Sequence, residues 1–139
     1  MGLQSAETTT PKDFLMFNSD TCCTLVPYFK INDGQLDAFK ALGPKFIEKT
    51  KNEAGCMHYA FSFDGHNAHC REGYDNAEAI LTHLDNVGEI LGEALKLSEL
   101  ARLEVHAPAA ELDKLREPLA ELNPQFFVLE ANGIRRSTE

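Results

Sequence analysis

The chain has 139 residues, enough for one well-buried domain and too few for two comfortable ones. It is 43% hydrophobic and 25% charged, as in an ordinary globular protein, and its formal net charge is -9. With no clustered Lys/Arg stripe to displace counterions, nucleic acid and anionic membrane surfaces are excluded as expected partners. No apolar run approaches the roughly 18 residues that span a bilayer. The N-terminal "MGLQSAETTTPKD" has no basic stretch leading into a long apolar one, so a cytoplasmic protein is expected.

Residues 1–19 read as a flexible arm whose "FLMF" (14–17) could lie across a neighbour. "TCCTLVPYFKI" (21–31) predicts a first strand, with Pro27 at an edge or a bulge. Asp33 in "NDG" is a plausible N-cap for a helix running to about Lys51. Gly43-Pro44 should kink that helix or divide it. "GCMHYAFSFDG" (55–65) predicts a second strand ending in the turn signal Asp64-Gly65. Strict alternation puts Met57, Tyr59, Phe61 and Phe63 on one face, and Cys56, His58, Ala60 and Ser62 on the other. "AHCREGYD" (68–75) returns as a third strand, and Asn76 caps a helix that turns Ala77, Ile80, Leu81 and Leu84 inward. "ARLEVHAP" (101–108) predicts a fourth strand.

The order β-α-β-β-α-β is the split βαβ pattern, so the expected class is α+β: a ferredoxin-like antiparallel sheet with helices on one face. The other sheet face needs a cover, and an isologous homodimer is the simplest one. After the ferredoxin-like unit at 20–108, residues 109–139 are expected as a helix-strand extension and tail of the same domain. "AAELDKLREPLAEL" carries Leu112, Leu115, Leu119 and Leu122 at helical steps, and "QFFVLEA" (125–131) predicts a fifth strand. Cys22, Cys23, Cys56 and Cys70 show no staple framework and are expected to be reduced thiols. His66, His69 and Cys70 lie close together, but no second pair completes four ligands, so no metal site is expected.

These residues carry a resemblance. An E-x-G-C-x-x-Y strand start falls on Glu53, Gly55, Cys56 and Tyr59; a strand end E-x-aromatic falls on Glu72 and Tyr74; a helix with one histidine follows at His83. Across about residues 21–107 this resembles the antibiotic biosynthesis monooxygenase family of the dimeric α/β-barrel superfamily. The resemblance implies a dimeric α/β barrel with a small pocket between sheet and helices in each protomer. Some members oxidise phenols or quinols with O2 and no cofactor. The haem-degrading branch depends on a Trp, and this chain has none, so that activity is not expected.

Cofactor-free oxygenation needs a base near pH 7, donors for a developing oxyanion and a dry cavity. His83, on the edge of a buried helix stripe, suits the base, with Glu72 or Tyr74 to fix its tautomer. The expected catalytic set is therefore His83, Tyr74 and Glu72, without a cofactor. Tyr59, Phe61, Tyr28 and His58 are the expected contacts to a small aromatic or quinol-like substrate. The plainer alternatives are a histidine satisfied by a carbonyl, aromatic residues that only fill the core, and a His58 at an interface. They correspond to a ligand-binding dimer without turnover, or a structural dimer whose extension recruits another protein.

Overall fold

A computed structural model describes residues 17–137. Strands β1 (Phe17–Ser19) and β2 (Cys23–Ile31) precede helix α1 (Leu36–Thr50), then strands β3 (Cys56–Asp64) and β4 (Asn67–Tyr74). Helices α2 (Ala77–Asn86) and α3 (Gly88–Leu97) lead into β5 (Ser98–Ala107). The extension supplies α4 (Ala109–Leu115), a 3-10 turn (Ala120–Leu122), β6 (Gln125–Val128) and β7 (Ile134–Arg136).

The main sheet has the order β3-β4-β2-β5-β6. Its first four strands pair antiparallel in the ferredoxin-like arrangement, and β6 joins β5 in parallel. A parallel partner needs a crossover rather than a tight turn, which is what α4 provides. Among the described residues no helix is long and apolar enough to cross a membrane, and all four cysteines are free.

Alternation along β2 sends Cys23, Leu25, Phe29 and Ile31 under the helices. Phe39, Leu42 and Phe46 of α1 meet that surface at one end, with Val87 and Ile90. At the other end Leu112, Leu115 and Leu119 of the extension pack with Tyr74, Ile80 and Val105. The extension thus shares the core of the domain. Asn76 caps α2 as expected, its side chain accepting from the Ala79 N–H at 2.9 Å.

Several local expectations change. Gln35, not Asp33, holds the N-cap position of α1, with no side-chain cap. Pro44 lies inside α1 without dividing it; Lys40 and Pro44 are both on the exposed side, where water can serve the carbonyl freed by the missing N–H. Of the two places expected for Pro27, the structure gives the bulge: it sits on central strand β2 next to a register shift at Tyr28/Phe29, not on an edge. In β3 an irregularity between Cys56 and His58 places an extra residue opposite β4. It reverses the parity of the strand start: Cys56 packs on the core cluster of Cys23 and Tyr74, Tyr59 and Phe61 pack on that of Phe29 and Phe46, and Met57 turns out, 39% exposed.

The outer sheet face is mixed, not bare and apolar: Thr24, Val26 and Tyr28 lie among His58, Ser62, His69, Arg71, Arg102 and His106. Residues 17–19, expected as the end of the arm, pair as β1 with β7, with Phe17 opposite Arg136. The rest of the arm, 1–16, lies outside the described residues.

Candidate functional site

Strand β4 turns Ala68, Cys70, Glu72 and Tyr74 inward, so its alternation buries a carboxyl group among apolar neighbours. Glu72 is 3% exposed, and the Tyr74 hydroxyl donates to its Oε1 at 2.7 Å. Burial pushes the Glu72 carboxyl up to about 8, against the lowering effect of hydrogen bonds from Tyr74 and Cys70; the Glu53 charge adds to the rise. Near pH 7 Glu72 is therefore mainly a neutral acid, able to donate a proton. Burial also pushes the Tyr74, Tyr59 and Cys70 groups far up, so they stay protonated.

His83 faces Glu72 from α2 and is 2% exposed. Its Nδ1 lies 2.9 and 3.1 Å from the two carboxylate oxygens of Glu53, and its Nε2 lies 3.5 Å from Glu72 Oε1. Burial lowers the His83 pKa, and Glu53, by hydrogen bond and charge, works in the opposite direction. A neutral ring whose Nδ1–H donates to Glu53 presents the Nε2 lone pair as a base. The Tyr59 and Tyr74 rings flank it, with centroids at 5.0 and 5.2 Å.

Glu53 reaches His83 because the loop after α1 runs against α2. Gly55 permits that approach: a Cβ there would stand 2.6 Å from the Ala79 Cβ. Glu53 and His83 are 30 residues apart in sequence.

His83 and Glu72 line a narrow apolar cavity of about 50 Å³ between sheet and helices. Tyr59, Phe61 and Cys70 share their end of it. Towards β5 the walls are aliphatic, with Leu91, Leu95, Leu100 and Leu103, and Leu122 of the extension. A neutral acid and a neutral base side by side in an apolar wall can transfer two protons to and from one small molecule, with little competition from water.

Of the residues expected from sequence, His83, Glu72, Tyr59 and Phe61 meet at this cavity, and Tyr74 stands behind Glu72. Tyr28 and His58 do not: they sit on the outer face, Tyr28 stacked on His69 at 4.7 Å and His58 exposed. Glu53, not Glu72 or Tyr74, holds the far side of the His83 ring. Glu53 stood in the motif without a role, and only the chain path reveals its partner. His69 and Cys70 separate across the sheet: His69 Nδ1 lies 3.0 Å from the Pro27 carbonyl, while Cys70 is buried on the inner face. Among the described residues no group of three or more His, Cys, Asp or Glu side chains could hold a metal ion.

No protein-family model matches the chain, and no curated protein does. Solved structures do. MupZ from Pseudomonas fluorescens is 51% identical over 80% of this chain and 92% of its own, with a TM-score of 0.77. An antibiotic biosynthesis monooxygenase covers 60% of this chain and 94% of its own at 15% identity, with a TM-score of 0.55. Rv0793 from Mycobacterium tuberculosis covers 60% and 89% at 22% identity, with a TM-score of 0.53. At those low identities the likeness to these two structures is one of fold alone, short of what the resemblance in the motif implied. The identity and coverage with MupZ go further: the chain belongs to the same family as MupZ.

Proposed function

We propose that the chain is an enzyme performing general acid–base catalysis on a small, mainly apolar molecule held in this cavity. His83 Nε2 is the base and Glu72 the acid. One observation carries the reading: a buried His83, held by Glu53, stands 3.5 Å from a buried Glu72 on an apolar cavity wall. Pairs of titratable groups whose environments push them apart in this way are the usual mark of assigned acid and base roles.

A reaction that suits the fold is oxygenation of a small aromatic or quinol by O2 without a cofactor. His83 removes a proton, and the substrate anion passes an electron to O2. The radical pair joins as a carbon-bound peroxide anion, which takes the proton held by His83 to become a hydroperoxide. His83 then removes the remaining hydrogen of that carbon as a proton, and the O–O bond breaks. Glu72 protonates the leaving hydroxide to water, the carbon becomes a carbonyl, and the proton on His83 returns to Glu72. Support comes from the monooxygenase fold and the apolar walls. The neutral Glu72 favours a second reading, a redox-neutral reaction in which Glu72 protonates a departing or carbonyl oxygen while His83 activates a hydroxyl or water.

The test is oxygen uptake with hydroquinones, naphthols and anthrones, run beside anaerobic incubations in D2O in which NMR follows exchange or rearrangement of ketone and cyclic-ether probes. Uptake that falls about a hundredfold or more in His83→Ala, as loss of a general base predicts, supports oxygenation. Anaerobic turnover with the same dependence supports the redox-neutral reading. Turnover unchanged by His83→Ala would remove His83 from the mechanism, and no turnover of any probe would favour a ligand-binding protein.

A further inference from the structure

Glu53 belongs to no helix or strand; it sits in the loop between α1 and β3, yet its carboxylate decides which nitrogen of His83 carries the proton. A carboxylate on a loop needs a second anchor to do that. Asn86 stands three residues after His83, on the same side of α2. Its Nδ2 donates to Glu53 Oε2 at 2.7 Å and to the Lys49 carbonyl in the last turn of α1 at 3.0 Å. Both partners are acceptors, so only the NH2 group of the amide can face them. Glu53 Oε2 thus takes hydrogen bonds from two donors of one helix, and the same amide ties that helix to α1.

We propose that Asn86 is a positioning residue of this site: it holds the Glu53 carboxylate on His83 Nδ1 and so keeps His83 Nε2 unprotonated and aimed at the cavity. The proposal rests on the acid–base reading for its consequence in turnover, but its structural claim concerns the free protein. Without Asn86, Glu53 loses one of two anchoring donors and gains freedom to turn toward solvent. The His83 ring then no longer has a fixed acceptor at Nδ1, and its proton divides between the two nitrogens. Outer partners of this kind typically alter function by about ten- to a hundredfold where they have been removed from metal-bound histidines, and a similar loss is expected here.

The experiment is a long-range ¹H–¹⁵N correlation of the imidazole groups in the free, ¹⁵N-labelled protein. It compares the parent with Asn86→Ala and Asn86→Leu. The parent is expected to show His83 as a single Nδ1–H tautomer, and both variants a mixture or the Nε2–H form. With a turned-over probe in hand, kcat should fall at least tenfold with KM nearly unchanged. Asn86→Leu keeps most of the side-chain volume, so it decides the matter if Asn86→Ala fails to fold. A cooperatively folded variant that keeps the parent's Nδ1–H tautomer would overturn the proposal, leaving Asn86 as a tie between helices. The tautomer is read without substrate, so this result stands apart from whether His83 is catalytic.

Discussion

Replacing Glu72 by Gln tests the central electrostatic feature of the site. In the fold the Glu72 proton is held up to about 8, against an ordinary 4.5 for the unfolded chain. The folded state therefore binds this proton more tightly, and the group's contribution is fully present below pH 4.5. As pH rises from there, the unfolded chain gives up its proton while the fold keeps it, and stability is lost until the folded group also ionises near pH 8. At about 1.4 kcal/mol per pH unit, the ceiling over that window is about 5 kcal/mol. Gln keeps the shape and an acceptor for the Tyr74 hydroxyl, and has no proton to lose. The assay is urea unfolding of parent and Glu72→Gln at pH 5, 6, 7 and 8. Taking the difference between the two cancels most of what other groups contribute. Glu72→Gln should gain on the parent steadily across the series, by about 2–4 kcal/mol in all. A flat difference, or a parent that gains on the variant as pH rises, would mean that Glu72 is ionised in the fold, and would remove it as the acid.

Glu53 raises the His83 pKa against the effect of burial, so Glu53→Gln should lower it further, as read by NMR titration of the His83 ring; a rise would contradict the geometry. Because His83 titrates below its ordinary 6.5 in the fold, its contribution to stability is lost as pH falls below that value, where the unfolded chain takes up the proton first. His83→Gln should lessen that acid-side loss in the same unfolding assay, and an unchanged acid limb would count against a neutral buried ring. Leu115 is fully buried in the core that the extension shares with the domain, so Leu115→Ala should cost about 2–5 kcal/mol in unfolding free energy; a negligible change would make the extension peripheral. We also expect a homodimer through the outer sheet face, where Val26 and Tyr28 lie among polar groups; light scattering at micromolar concentration should give twice the chain mass, and a monomer mass would refute it.

Much of the fold was legible because its signals are local. Turn residues such as Asp64-Gly65, the Asn76 cap and the helical steps of the apolar residues act within a few positions. They determined the order β-α-β-β-α-β, and with it the ferredoxin-like class. His83 and Glu72 were legible as candidates for a similar reason: each is a titratable group beside a buried stripe. Tertiary structure decided the rest. One extra residue near Met57 reversed the facing of the β3 start, since register depends on the partner strand and not on the strand alone. The faces taken by Tyr28 and His58 followed from which side of the sheet the helices cover. Glu53 found His83 across 30 residues only because α1, its following loop and α2 pack together. Alternation and capping are properties of neighbours in sequence, whereas the protonation states of Glu72 and His83 are set by desolvation and by partners that exist only once the chain has closed around them.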